Sequence, residues 1–513
     1  MYLGIVVAGG FFAFLAAMGI GANDVANAYA TAVGSRALTI KQATVLASVF
    51  ETGGAILMGS HVAKTIRKGI ANYECFENDP GPLMYGCMCV CLSVFMWLFI
   101  ASKYEMPVST THSCVGGMIG MTIALKGVRC VNWYEKTDLF PYVGGVAGIV
   151  LSWIISPIFS AIIASTLYSV IRAFILRSSN SFGRTSYLFP IMIGGTVTLN
   201  TFFIIYKGAK GLDLDETPLD VACYWSFGVG GISAIAIVPF MGMIKKNAEN
   251  RIGQAIDIDK DTELDISVHE EKSENKIVKE STPLNICNVI VNYVNKSLKV
   301  DLDEIVANDS TVADIHSNAE KFDPKTEEYF KSLQVFTAIC DSFSHGANDV
   351  ANAIGPFIAI YMISKEGEVN SENDVGTDAY WFLALGGVGI SAGLILYGYK
   401  ILHAIGTKLC KITPSRGTAI ELASAIVIIS GSRLEIPLST THCQVGATCG
   451  VAALEPPYNC TGINKIVILK CMAGWVITLI VVGSSTAIFT AVGAYTPEVG
   501  NHNDCATVGN YTL

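Results

Sequence analysis

Two eight-residue stretches of this chain are identical: Gly21-Ala22-Asn23-Asp24-Val25-Ala26-Asn27-Ala28 recurs as Gly346-Ala347-Asn348-Asp349-Val350-Ala351-Asn352-Ala353. Each places one carboxylate and two amides inside apolar sequence. Unpaired polar groups in hydrocarbon are costly, so these side chains must face a cavity, an ion or one another. A carboxylate at membrane depth marks a candidate site by default. Asp24, Asp349, Asn27 and Asn352 offer oxygen ligands for a small hard cation. Gly21 and Gly346 supply the backbone freedom to break a helix beside them. A buried Asp-Asn network that merely locks two helices is the alternative, and it fits one copy better than two symmetric ones.

A second pair follows each first one at nearly the same distance. Pro107-Val108-Ser109-Thr110-Thr111-His112 is answered by Pro437-Leu438-Ser439-Thr440-Thr441-His442, and the approaches match as Ser102-Lys103-Tyr104-Glu105-Met106 and Ser432-Arg433-Leu434-Glu435-Ile436. This pattern reads as a helix beginning, with proline in the first turn and hydroxyl residues as caps. Free backbone N–H groups, the positive end of the helix dipole and the hydroxyls of Ser109, Thr110, Thr111, Ser439, Thr440 and Thr441 together form an anion cradle. An ordinary capped helix with a satisfied histidine would explain one instance; duplication favours two cradles facing each other. Asp24 and Asp349 with a dianion put four negative charges in a low-dielectric site, and neither motif holds Lys or Arg. Mobile cations must therefore enter with the anion. Na+ suits such oxygens, and protons that neutralise the acids would serve as well. Glu51 and Glu421 are further acids in apolar context, at non-equivalent positions in the two halves. Gating or coupling is one reading of them, and a buried hydrogen-bonded role is the other.

The elements that must position these groups are membrane helices. The 513 residues are 51% hydrophobic and 15% charged, far from a soluble balance. Apolar stretches of roughly 20 residues, long enough to cross a bilayer, recur along both ends. They predict an all-α polytopic protein with about twelve crossings, some of them broken helices or hairpins at the midplane. Met1 leads into apolar sequence with no basic stretch or cleavage site, so the first segment should be retained. Three regions follow: a first repeat with connecting helices over 1–244, an acidic, largely flexible loop over 245–330, and a second repeat over 331–513. The loop carries 19 Asp/Glu against 11 Lys/Arg, which is most of the chain's formal charge of −9. It serves either regulation or simple tethering.

Arg172, Arg177 and Arg184, then Lys245 and Lys246, then Lys400, Lys408, Lys411 and Arg416 mark inside loops by their charge. The opposite loops are acidic, with Asp213, Asp215, Glu216 and Asp220, and with Glu366, Glu368, Glu372, Asp374 and Asp378; the tail after Thr496 lacks Lys and Arg. Both termini then lie outside, seven crossings precede the loop, and the halves form an inverted-topology repeat. Lys64, Arg67 and Lys68 fall on the outer side, against the same rule. The fifteen cysteines show no metal-type pairing and read mainly as buried thiols; Cys75, Cys130, Cys223 and Cys505 lie in loops and could pair if those loops face outside.

The paired motifs resemble those of the inorganic phosphate transporter family of sodium-phosphate symporters. The resemblance extends through Phe50-Glu51-Thr52, Lys64-Thr65-Ile66-Arg67-Lys68-Gly69-Ile70, Asp341-Ser342-Phe343-Ser344-His345 and Ile412-Thr413-Pro414-Ser415-Arg416-Gly417, leaving aside only the central insert. It implies twelve crossings, both termini outside at a plasma membrane, a cytoplasmic loop and a homodimer. By the same resemblance Asp24 and Asp349 would hold Na+. Asn23, Asn348 and the six hydroxyl residues would contact sodium or phosphate, and Glu51 and Glu421 would be needed for transport. The family includes proton-coupled members. No enzyme activity, cofactor or nucleic acid is expected. A membrane enzyme using His112 or His442 as base would have no purpose for a duplicated nucleophile, and a channel would need a continuous polar lining. A phosphate sensor that binds without carrying stays open.

Overall fold

The computed structural model describes residues 2–137, 142–206, 214, 217–252, 306–369, 378–456, 458 and 461–495. The expectations for residues 253–305 of the insert, for Asp213, Asp215, Glu216, Glu372 and Asp374, and for Cys505 with the tail fall outside those residues. The described chain is almost entirely helical, with one two-residue hairpin pairing Glu135–Lys136 and Val143–Gly144. It is a polytopic all-α membrane protein. Eight helices among the described residues are long and apolar enough to cross a bilayer, and the polar groups of the motifs lie partly on these spans and partly on further helices packed among them.

In the first half, α1 (Leu3–Asn23), α2 (Ala26–Gly34), α3 (Ile40–Lys68), α4 (Pro80–Lys103), α5 (Thr110–Lys126) and α6 (Gly145–Ile171) are followed by α7 (Ser181–Ile205) and α8 (Leu219–Ile237). After the insert come α9 (Ser310–Asn318), α10 (Pro324–Glu366), α11 (Asp378–Gly393), α12 (Tyr399–Lys408), α13 (Pro414–Arg433), α14 (Thr440–Ala452) and α15 (Lys465–Tyr495). Local sequence sets several boundaries. Thr39 and Gln42 form a reciprocal capping box at the start of α3. Pro414 occupies the first turn of α13, where its missing N–H leaves nothing unpaired.

The expected helix break occurs in one motif copy only. The chain turns at Asp24 and Val25, between α1 and α2, whereas α10 runs through Gly346 to Asn352 without interruption for 43 residues. The glycines serve close approach instead. A methyl group on Gly21 would lie 1.8 Å from the Ile390 carbonyl oxygen, and one on Gly346 would lie 2.1 Å from that of Glu51. Small residues let membrane helices meet backbone to backbone, which is where association without a hydrophobic drive gains its packing energy.

The halves are also interlocked. α5 packs against α15, and α14 packs against α6, so each short helix rests on a long helix of the other half. Paired glycines permit both contacts: Gly116 and Gly120 abut the Leu479 and Gly483 carbonyls, while Gly446 and Gly450 abut those of Pro157 and Ala161.

The two ends of α13 lie in different surroundings. At its start the buried Arg416 guanidinium bonds Glu455 Oε1 from Nε at 2.8 Å, and its Nη2 donates to the Glu320 carbonyl at 2.9 Å; Arg177 grips the Glu320 carboxylate at 2.8 and 3.0 Å. At its far end Arg433 leads to Glu435, whose carbonyl accepts from Thr65 Oγ1 at 2.7 Å, near the end of α3. Cys75, just beyond α3, and Cys130, just beyond α5, are disulfide-bonded, so two of the four cysteines expected in loops do pair. Cys223 instead lies within α8 and is a free thiol.

Candidate functional site

The two helix beginnings meet head to head. Ser109 and Ser439 are the N-caps of α5 and α14, accepting from the His112 and His442 amides at 3.3 and 3.4 Å. Their hydroxyls also bond each other at 2.9 Å. Pro107 and Pro437 thus precede the helices rather than open them, because serine, with an oxygen able to accept from the first turn, is the better cap.

Both motif acids lie in this junction, fully buried. Thr110 Oγ1 is 2.8 Å from Asp24 Oδ2 and 3.3 Å from Asp349 Oδ2, so one hydroxyl bridges the carboxylates of the two halves. Thr440 donates to Asp349 at 2.8 Å, and Thr441 crosses over to donate to Asp24 at 2.7 Å. Asn352 reaches back to Thr110 and Thr111 at 3.2 and 3.3 Å, and Asn27 reaches Thr441 at 3.2 Å while also contacting Asp24. Each first motif is therefore completed by hydroxyls from the opposite half.

Two kinds of role separate among the predicted residues. Asn23 bonds the Met106 carbonyl at 2.9 Å and the Val108 amide at 3.0 Å, so its amide fixes the segment entering α5. Asn348 does the equivalent work: with its oxygen accepting from Ser432 Oγ, its nitrogen lies 3.1 Å from both Leu438 O and Asp349 Oδ1. Thr111 donates to the Leu438 carbonyl at 2.8 Å. By contrast, Asn27 Oδ1 and Asn352 Oδ1 are buried acceptors with no hydrogen-bond partner. A buried amide oxygen is costly to leave unmade, and a cation would satisfy it.

Glu51 is joined to the junction and Glu421 is not. Glu51 accepts from Ser342 at 3.1 Å and sits 2.7 Å from His345 Nδ1, whose Nε2 lies 3.1 Å from Asp349 Oδ2. Asp24, His345 and Asp349 each offer one ligand atom within 4.8 Å of the others. Glu421 is held by Thr31, Gln334 and Thr337 at 2.5, 3.1 and 2.6 Å, tying α2, α10 and α13 together outside the repeated motifs. His345 is the residue that motif reasoning left without a role. Its signal was its place directly before the second motif, where the first copy has Ile20, and symmetry arguments pass over an unrepeated residue. His112 and His442 stack at 4.8 Å between Trp153 and Trp475, each 3.6 Å away, in an arrangement for packing rather than for activating a nucleophile.

A sequence model of the phosphate transporter family matches residues 20–485. The chain belongs to the phosphate transporter family. This family member is 29% identical to the phosphate-repressible phosphate permease of Neurospora crassa, over 97% of its own length and 98% of the permease. It is 27% identical to the human sodium-dependent phosphate transporter 1, over 91% and 92% of the two chains. Among solved structures it resembles one titled the sodium-dependent phosphate transporter, with TM-score 0.72, 28% identity and coverage of 96% of this chain and all of that one. A phosphate transporter is a carrier, not an enzyme.

Proposed function

We propose that this phosphate transporter moves inorganic phosphate together with Na+ by alternating access between its two halves. One observation carries the reading: Thr110 bridges Asp24 and Asp349 inside a buried junction made of two opposed helix starts. The helix starts and the hydroxyls of Ser109, Thr110, Thr111, Ser439, Thr440 and Thr441 suit phosphate. Asn23 and Asn348 hold the chain that forms this cradle. Asp24, Asp349 and the partnerless oxygens of Asn27 and Asn352 suit Na+. Glu51 acts on coupling through His345, and Glu421 acts on gating through α2 and α10. The human relative's name supports sodium. His345, placed between Glu51 and Asp349, gives a specific basis for proton coupling as the second reading.

The protein sits in this reading as an inverted repeat in the plasma membrane, as a homodimer, with both termini outside and the 245–330 loop in the cytoplasm. The disulfide between Cys75 and Cys130 supports an oxidising outer side at that end of α3. The deciding experiment is uptake of labelled phosphate by purified protein in liposomes. Uptake driven by a sodium gradient alone supports symport with Na+, and uptake driven only by a proton gradient supports the second reading. Binding without flux would make the protein a sensor. Asp24→Asn and Asp349→Asn should each lower flux by on the order of 100-fold while the protein remains folded, because substrate and ion positions depend on both acids.

A further inference from the structure

At the far end of α13 a cavity of about 400 Å³ opens between the last turns of α3 and the segment entering α14. Its volume is within the range of small-ligand sites. Lys64, Lys68, Glu135, Thr137, Glu435 and Pro437 are among the residues that line it. Lys64 and Lys68 are four residues apart and so share one face of α3. They lie beyond the apolar part of that helix, which ends at Ser60. Topological charge bias gives no reason for them on the disulfide-bearing side.

The lining of the cavity includes the turn that precedes the second helix start. Glu435 is two residues before Pro437 and four before Ser439, the cap of the second helix start. Glu435 holds a left-handed backbone (φ 57°), a conformation uncommon for a side-chain-bearing residue. Thr65 Oγ1 fastens its carbonyl from α3. Its carboxylate lies 3.8 Å from Lys64 Nζ, and both side chains are 41% exposed. Such a loose, wet ion pair exchanges partners readily. Glu105 takes the same left-handed turn (φ 56°) in the first half.

We propose that this cavity is a transit site for the phosphate oxyanion, in which Lys64 exchanges its carboxylate partner Glu435 for the incoming anion. The exchange does two things at once: it holds the anion beside Pro437, and it takes Lys64 away from the carboxylate of Glu435 in the turn that precedes the second helix start. The idea rests on the transport reading above and adds a site that reading does not contain. The ligand chemistry, a phosphate group beside lysine, is shared by free phosphate and by anionic lipid head groups, and the test separates them.

Phosphate uptake is measured at low and high salt in liposomes of zwitterionic lipid and, in parallel, in liposomes containing anionic lipid. Lys64→Gln should raise KM for phosphate roughly 3- to 10-fold, with the loss concentrated in KM, and should flatten the dependence of KM on ionic strength. Lys64→Arg should recover most of the loss. Glu435→Gln removes the competing carboxylate and should shift KM the opposite way, which a folding defect cannot do. Unchanged KM in Lys64→Gln, a shift in the sodium KM alone, equal and same-signed effects of both variants, or a defect seen only in anionic-lipid vesicles would each overturn the transit site. Absence of flux in the unmutated protein would instead remove the transport reading.

Discussion

Thr441 of the second half donates a 2.7 Å hydrogen bond to Asp24 of the first, while Thr110 of the first bridges both acids. Neither carboxylate is furnished by its own half alone, so separating the halves must strip hydroxyls from both. A hydrogen bond to a charged group contributes about 1.5–3 kcal/mol. Thr441→Ala should therefore raise the sodium concentration for half-maximal uptake by roughly 10-fold or more, and Thr441→Ser should restore it. Equal loss in both variants would show that the methyl packing, not the hydroxyl, is what matters.

Glu51 and Asp349 share one imidazole, that of His345. Groups joined in one network give non-additive losses. Glu51→Gln and His345→Gln should each reduce apparent cation affinity about 10- to 100-fold, the range seen when residues supporting an ion ligand are removed. The double variant should lose little more than the worse single one. Multiplying effects would separate Glu51 from the acid pair.

Phosphate keeps a proton at neutral pH and sulfate does not, so an ionised Asp accepting that proton's hydrogen bond favours phosphate and rejects sulfate. Arsenate, which also keeps its proton, should compete in uptake assays at concentrations near those of phosphate, and sulfate should fail at 100-fold excess. Sulfate inhibition matching that of arsenate would remove the carboxylate from the selection step.

The disulfide gives a handle on orientation. In intact cells a membrane-impermeant maleimide should label Cys75 and Cys130 only after an impermeant reductant is added, as read by peptide mass spectrometry. Labelling that requires permeabilised cells would reverse the assigned topology. Closing a chain segment 55 residues long constrains the unfolded ensemble by about 3–5 kcal/mol, so Cys75→Ser should also lower the melting temperature of the purified protein.

The repeated motifs were legible because identical polar residues in apolar sequence have few physical excuses, and they did meet in one buried junction. What the motifs could not convey was geometry between distant segments. Gly346 by its type predicts a helix break, but its missing side chain admits the Glu51 carbonyl, a neighbour nearly 300 residues earlier that local propensity cannot see. The pattern around Pro107 and Pro437 predicts prolines in the first turn, although the serines two places on hold the caps. Cys75 and Cys130 had no spacing that named them as partners. His345 was hidden for a different reason: duplication was the guide, and this residue belongs to one half only.

The helix that carries Asp349 begins at Pro324, within the last residues of the 245–330 region, and runs through the junction to Glu366, with Pro356 inside its last part. At 1.5 Å per residue the distance from Pro324 to Asp349 along this rod is about 38 Å. A stiff beam cannot tilt at its middle while both ends stay still. Tension applied where the insert joins the bundle thus has a mechanical route to the acid pair, and α1, severed from α2 beside Asp24, has no such lever arm.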